Sequence, residues 1–450
     1  MNLSNRSRLG ACTSSAKMKM FKTKYFTHFD KRISFENVKD KIQNPEWVTQ
    51  HGFYPFLHYK IIFNKYSRET KMKKRKIRNI YYAAHIDGYI YSYYGDKINE
   101  LYNSLTIKRK IDDVSIAYRN NKKGKSNIHF TAEVINFITK HKRSYILVTD
   151  FSDFFDNLDH RYLKEKLKIV LDRKNLPSDY YNVFKNITKF SYINKKKLER
   201  YLIDNKEDTY FKRKERYLTT EQFNNYKYTN IEKNSKPYGI PQGSGISAVL
   251  SNVYLLDFDQ ELNNYVESYN GMYRRYCDDI IIVIPMNIEN NLDFEMHENK
   301  INEISAKVPN LIIQREKTNH YLYQDKKINE INGTSKNLDY LGFRFDGERI
   351  YLREKSLFKF YTRAYRKVKV CNKLSKLHGR KVKRRELYKT YTHLGRNYKN
   401  PRNEKVKGNF ITYAERAQSE FESINNIEVK VKDQVKKHWS KIRKKLVNQS

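Results

Sequence analysis

Two apolar runs in this chain each border on carboxylates, and that pairing constrains the fold more than any other feature. SYILVT (Ser144–Thr149) is continuous enough to be a buried strand, and it stops at Asp150. YRRYCDDIIIVIP sets Asp278 and Asp279 just ahead of Ile280–Ile284, and residues 272–284 read as two short strands around a Cys-Asp-Asp turn. Acids beside strands this apolar are costly to ionise unless a cation or donor sits with them. A set of oxygen ligands suits a hard ion, Mg²⁺ or Mn²⁺. For Asp278 and Asp279 alone, a solvated hairpin turn is the alternative. Asp150 shifts the balance, because it belongs to a strand end. Asp156 and Asp159 in FSDFFDNLDH instead suit the start of a helix. Three carboxylates on two strands can hold two divalent ions about 3.5–4 Å apart. One ion activates an attacking hydroxyl and the other stabilises a leaving pyrophosphate, the needs of an in-line phosphoryl transfer.

The acids stand out because the chain is otherwise cationic. Its 450 residues include 90 Lys and Arg against 50 Asp and Glu, a net charge of +40. Such a surface points to a polyanionic partner held by counterion release. With 39% hydrophobic residues, 38 Tyr and 24 Phe, the chain also has the apolar material to fold. Residues 1–80 carry 19 Lys/Arg and 5 acids, with the densest run at 71–78 (KMKKRKIR), and residues 351–450 carry 29 and 8. No run approaches the ~18 apolar residues of a membrane span. Cys12, Cys277 and Cys371 are too few and too far apart for a disulfide scaffold or a cysteine zinc module, and a reducing, cytoplasmic setting is expected. The first 24 residues hold Arg and Ser without an acid; they read as a floppy basic start rather than a transit peptide.

Periodicity places helices over 81–105, 129–142, 158–171 and 248–262, and strands over 311–323 and 338–352. Residues 190–236 are polar and charged and read as an insertion or mobile loop. Residues 351–450 read as mostly helical.

In this order the segments resemble the reverse transcriptase family. VTDFSDFFDNLDH (148–160) is similar to its motif A, GIPQGSGISAVLSNVYL (239–255) to motif B and YRRYCDDIIIV (273–283) to motif C, with the Tyr-x-Asp-Asp box intact. IIQREKTNH (312–320) is similar to motif D and LDYLGFRFDG (338–347) to the primer-grip turn of motif E. The resemblance implies an α+β right-hand polymerase. Its parts would be an N-terminal extension and fingers (1–143), a palm of antiparallel sheet flanked by helices (144–350, with the insertion near 190–236) and a basic helical thumb or C-terminal RNA-binding region (351–450). It further implies that Asp150, Asp278 and Asp279 bind two Mg²⁺ ions, for which Mn²⁺ can substitute, with the Phe151 carbonyl as an extra ligand. Phe155 stands at the steric gate against a 2′-hydroxyl, with core packing as its alternative role. Gln242 and Gly243 would line the nucleotide pocket, where Gly243 would let the template-primer backbone approach. Lys317 would act near the phosphates or as a general acid, and Leu341 and Gly342 would touch the primer end. Lys76 and Arg78 are placed as triphosphate contacts. Arg119, in AYRNNKKGKSN (117–127), is placed at template or triphosphate, or in a solvated basic loop.

Within the family the chain is most similar to bacterial retron and phage-defence reverse transcriptases, the abortive-infection and unknown groups. Ala248 follows Ser247 where group II intron relatives carry Pro. The acids of 351–450 do not suggest a ribonuclease H site, and Cys371, His378 and His393 do not make a zinc nuclease. In YLREKSLFKFYTRAYRKVKV (351–370) aromatics alternate with cations, suited to stacking bases or to packing helices. The implied activity is RNA-directed DNA polymerisation from dNTPs, copying a dedicated non-coding RNA in antiviral defence, with no membrane and with a homo-oligomer or accessory protein as further partners. Template-independent or protein-primed synthesis is one alternative. A non-catalytic RNA-binding or splicing helper is the other.

Overall fold

The computed structural model describes residues 21–66, 73–205, 215–286, 294–331, 336–379, 384–397 and 408–446. Cys12, Lys71 and Met72 lie outside them, as does most of the basic start. Contacts divide the chain into two units, residues 1–97 with 172–247 and residues 98–171 with 248–450. The strands run in chain order as β1 (Phe56–Tyr66), β2 (Lys73–Tyr82), β3 (Arg143–Asp150), β4 (Ser191–Asn194), β5 (Ile231–Lys233), β6 (Met272–Tyr276), β7 (Asp279–Pro285), β8 (Asn319–Gln324), β9 (Lys327–Glu330), β10 (Leu338–Tyr340), β11 (Phe343–Phe345), β12 (Arg349–Leu352) and β13 (Glu428–Val429).

In the first unit the sheet order is β2-β1-β4-β5. The long β1–β2 hairpin pairs Leu57 with Tyr82 and Ile61 with Arg78. The expected helix over 81–105 begins later, at His85, because β2 runs to Tyr82. Its start is capped from far away: Asp30 Oδ2 accepts from the backbone N–H groups of His85 and Ile86 at 2.7 and 3.1 Å. The polar stretch 190–236 is not a loop in its described part. It supplies β4, β5 and the helices Lys195–Asp204 and Thr220–Asn230. Asn194 caps the first helix and a Thr219–Gln222 capping box starts the second. Leu198, Leu202, Phe223 and Tyr226 are spaced to bury one face against Phe29, Leu57 and Ile193. A few apolar residues at helical spacing thus outweigh a polar average composition.

The second unit is built on an antiparallel sheet of order β6-β7-β3-β8-β9. Val134, Ile135 and Ile138 of the helix Asn127–Thr139 share a core with Ile146 of β3 and Ile281 and Val283 of β7. The helix Leu256–Glu267 packs on β6 and β7. Ile280–Ile284 are all almost fully buried, which is why their run is continuous rather than alternating. The expected helix over 248–262 is two, Ser247–Tyr254 and Leu256–Glu267, broken at Leu255. The expected strand over 311–323 is shortened to β8, since Arg315–Lys317 form a 3₁₀ turn. Strands β10 to β13 form a further sheet, followed or flanked by helices Glu354–Leu377, Arg385–Tyr391 and Phe410–Phe421.

The basic helix Glu354–Leu377 turns Phe360, Ala364, Val368 and Cys371 inward. Tyr361 and Tyr365 lie under Lys441 and Lys445, at 4.7 and 4.9 Å. Its aromatics are therefore largely used in packing, and Phe358, 74% exposed, is the ring left to solvent on this stretch. Among the described residues no helix is long and apolar enough to cross a membrane.

Candidate active site

The register of the central sheet brings the acids together. Along the β3–β7 pair, Asp150 lies opposite Asp279. The β6–β7 hairpin pairs Tyr276 with Asp279, so Cys277 and Asp278 alone form the turn. Cys277 sits at φ 63°. A non-glycine residue in that region costs about 1–3 kcal/mol, to be offset by the surrounding structure. Protein crowding and the neighbouring Asp278 and Asp150 push the Asp279 carboxyl up to about 6, while Arg353 and Lys317 pull it down.

This donor set fits a hard cation. Asp150 Oδ1 is buried and has no hydrogen-bond partner among the described residues. Its Oδ2 accepts from Lys317 Nζ at 2.5 Å, and Lys317 also bonds Gln314. The pairing of Phe151 with Ile313 takes its backbone bonds from Asp150 and Ser152, which leaves the Phe151 carbonyl outside that pairing. The oxygens are of one hard type, one is orphaned, and the mutual repulsion at Asp279 is what a cation relieves. As the side chains stand, no group of three His, Cys, Asp or Glu among the described residues is gathered as a metal site.

The turn is held from beneath by charges that the sequence did not flag. Arg275 and Asp259 are both fully buried. Arg275 donates to Asp259 Oδ1 at 2.8 Å and Oδ2 at 2.5 Å, to Asn252 Oδ1 at 3.2 Å and to the Cys277 carbonyl at 2.9 Å. Tyr273 Oη adds a bond to Asp259 at 2.8 Å. Asn252 also fixes the Ala117 carbonyl at 2.9 Å, and Ser115 pairs with Arg275 across an isolated bridge. This brings Tyr118, itself at φ 60°, to the Cys277–Asp278 turn. Burial and the neighbouring Cys277 raise the Tyr118 phenol, and burial pushes the Cys277 thiol up to about 12. Cys277 is thus a neutral thiol beside the Tyr118 phenol.

Arg119 is placed differently from expectation. Its side chain is fully buried. Its donors go to Asn103, Ser115, Thr106 and Asp112, so the guanidinium pins its own loop and presents nothing to a template or triphosphate. Phe155 is half-buried, whereas Phe154 is buried and packs toward Phe151, with ring centroids 5.4 Å apart. The two adjacent rings thus divide the surface and packing positions.

Leu341 and Gly342 form the two-residue turn of the β10–β11 hairpin, at φ 43° and 97°. They line a cleft of about 580 Å³ together with Asp279, Asn127, Arg353 and Tyr413. Arg353 donates to Asp339 Oδ1 at 2.5 Å and from its backbone N–H to the Gly342 carbonyl at 3.0 Å. Asn127, Arg353 and Tyr413 were not legible as site residues, because no local spacing links them.

Four expected residues belong to the first unit. Lys76 and Arg78 lie on one face of β2, Lys76 half-buried and Arg78 exposed over the Phe63 ring at 5.6 Å. The Gln242 carbonyl accepts from the Tyr81 N–H at 3.0 Å. Gly243 stands at φ 117°, and a Cβ there would meet the Tyr81 carbonyl at 2.6 Å. The close approach that requires glycine here is to the protein's own strand β2.

A family model described as "Reverse transcriptase (RNA-dependent DNA polymerase)" matches residues 96–345. No curated protein matches the chain. Similar solved structures include apo telomerase from Candida tropicalis truncated from the C-terminal domain, with 12% identity, 63% of this chain, 55% of that one and a TM-score of 0.40. Telomerase from Candida albicans in complex with a TWJ fragment of telomeric RNA has 11% identity, 71% and 49% coverage and a TM-score of 0.39. The Candida tropicalis telomerase in complex with such a fragment has 11% identity, 89% and 63% coverage and a TM-score of 0.39. The chain thus spans about half to just under two thirds of these proteins' lengths.

Proposed function

The chain belongs to the reverse transcriptase (RNA-dependent DNA polymerase) family, and from that premise we propose that it joins deoxynucleotides on an RNA template at Asp150, Asp278 and Asp279. The observation that carries the reading is the sheet register that sets Asp150 against Asp279, with Asp150 Oδ1 buried and unpartnered. Two Mg²⁺ ions, or Mn²⁺ in their place, would be held by these three carboxylates and the Phe151 carbonyl, and would supply charge neutralisation for the attacking hydroxyl and the leaving pyrophosphate. The chain's own groups do the remainder. Lys317, which bonds Asp150, is proposed to meet substrate phosphates, where its proton would serve the leaving group. Phe155 offers a ring against a 2′-hydroxyl and so favours dNTPs. The buried Arg275–Asp259 pair keeps the Cys277–Asp278 turn in place, so that little reorganisation is needed at the reacting atoms.

Lys76, Arg78, Gln242 and Gly243 are proposed to serve the incoming nucleotide, and Leu341 and Gly342 the primer end. The partners proposed are an RNA template, a DNA product and a cognate non-coding RNA, with antiviral defence in a bacterial cytoplasm as the setting. That finer reading rests on the motif resemblance. Purified protein given Mg²⁺, dNTPs and a DNA primer on an RNA template should extend the primer. Asp278→Asn should abolish extension and keep RNA binding. Failure to extend any template, including RNA that co-purifies with the chain, would overturn the proposal. A biological phenotype that survives Asp279→Ala would favour the non-catalytic RNA-binding helper.

A further inference from the structure

The cleft beside Asp279 contains a hydroxyl whose proton the described residues leave unused. Asn127 Nδ2 donates to the Leu341 carbonyl at 2.8 Å and to Tyr413 Oη at 2.9 Å. The carbonyl can only accept, so the amide orientation is forced and both of its N–H bonds are committed. Tyr413 Oη is therefore an acceptor toward Asn127. Its own proton has no acceptor among the described residues. Its oxygen is held in place, since the ring stacks with both Phe343 and Phe410, with centroids 5.9 Å from each and planes within 25°. It stays protonated, because burial raises its pKa above the ordinary phenol value.

The cleft has the size of a ligand site and the asymmetry of a strand end. At about 580 Å³ it lies within the range that encloses small ligands. Asp279 lines it together with Tyr413, Phe410 and Arg353. Ser356 and Phe410 are shared with a neighbouring groove of about 470 Å³, whose walls include Lys359, Arg363 and Lys389. A track thus leads from the catalytic carboxylate past a neutral O–H donor to a row of cations. A phosphodiester strand with its terminus at Asp279 fits that sequence of groups, since its phosphates begin one unit behind the terminal hydroxyl.

We propose that Tyr413 donates a hydrogen bond to the last phosphodiester of the primer strand, and that Asn127 is the positioning residue that orients both this hydroxyl and the Leu341 carbonyl. The proposal rests on the polymerase reading above for the identity of the strand, and its test does not require synthesis. Binding of a recessed RNA–DNA hybrid is measured with Mg²⁺ in the Asp278→Asn protein, with and without Tyr413→Phe, a change that removes one oxygen and keeps the ring stack. The hybrid carries either a normal last linkage or an uncharged methylphosphonate at that linkage. Tyr413→Phe should weaken binding of the normal hybrid roughly two- to tenfold, the size of one hydrogen bond. With the methylphosphonate stereoisomer whose methyl replaces the oxygen that Tyr413 meets, the two proteins should bind alike, as expected when both changes remove one contact. No loss on the normal hybrid, or an equal loss on both hybrids, overturns the assignment. In the extending enzyme, Asn127→Ala should raise KM for the hybrid and leave KM for dNTP unchanged. A parallel change in both constants would mark Asn127 as merely structural. If the protein extends no primer and yet the binding pattern holds, the polymerase reading alone fails.

Discussion

Two of the tight hairpin turns in the second unit, β6–β7 and β10–β11, are supported by opposite means. The Cys277–Asp278 turn has one left-handed residue, and beneath it lies a fully buried ion pair, Arg275 with Asp259, whose guanidinium also bonds the Cys277 carbonyl. The Leu341–Gly342 turn has two left-handed residues, and it is held by the neutral amide of Asn127 and the backbone N–H of Arg353. A buried ion pair is costly to assemble and more costly to break by halves, so it fixes one geometry. A neutral amide at a cleft edge is cheaper to release. The contrast suits the proposed roles, one turn holding the reacting carboxylates and the other meeting a primer strand as it advances.

The largest expected effect breaks the first support. Asp259→Ala strands a buried guanidinium and should destabilise the protein by about 3–5 kcal/mol, read from urea unfolding. Replacing both partners, Asp259→Leu with Arg275→Met, should recover much of that loss. Asn127→Ala, the matching change at the grip turn, should cost about 1 kcal/mol. If the two single changes cost the same, the contrast between the turns is lost.

The Cys277–Asp278 turn was legible because its apolar strands run straight into acids. Its support was not. Asp259 sits in a helix whose neighbours include Asp257 and Glu261, where an acid reads as solvated, and Arg275 stands beside Arg274, which reaches Glu133 instead. Arg119 looked like a ligand contact for the same reason: a charge in a basic loop carries no sign of burial. Asn127 and Tyr413 meet across 286 residues, a separation at which spacing says nothing. The stretch 190–236 misled in the other direction, since its polar average hid Leu198, Leu202, Phe223 and Tyr226.

A smaller effect tests the backbone of the grip turn. Gly342→Ala places a Cβ in open space, with Asn127 Nδ2 the nearest atom at 3.8 Å, so the φ of 97° is the main cost. A loss of about 1–2 kcal/mol is expected, with the hybrid KM raised and the dNTP KM unchanged. Stability unchanged within error would show that the turn relaxes to another conformation.

The carboxylates themselves should titrate against stability. Asp279 is raised from 3.8 to about 6 in the folded state, so folding favours its protonated form. That contribution is full below pH 3.8 and is lost as pH rises through 6, and at pH 8 the ionised group carries a penalty. In divalent-free buffer, Asp279→Asn should therefore be more stable than the parent at pH 8, by about 1 kcal/mol once solvent screening of this exposed group is discounted. The advantage should vanish near pH 4. An Asn variant that is less stable at pH 8 would mean that Arg353 and Lys317 outweigh Asp278 and Asp150.

The smallest effect separates residue strain from support. Cys277→Gly relieves a left-handed cysteine, worth about 1 kcal/mol, and gives back about 0.5–1 kcal/mol in chain entropy. It also removes the thiol beside Tyr118, so the net change should lie within about 0.5 kcal/mol. Leu341→Gly makes the same exchange at φ 43°, but there the side chain packs against the core that contains Phe343 and Phe421. Amide hydrogen exchange distinguishes the two. The Cys277 carbonyl remains tied to Arg275 whatever its side chain, so protection at Ile280 and Ile281 should be unchanged in Cys277→Gly. Protection at Phe343 should fall in Leu341→Gly, where apolar packing is lost and only Asn127 and Arg353 hold the turn. Equal loss in both hairpins would mean that the buried ion pair lends the catalytic turn no more rigidity than an amide lends the other.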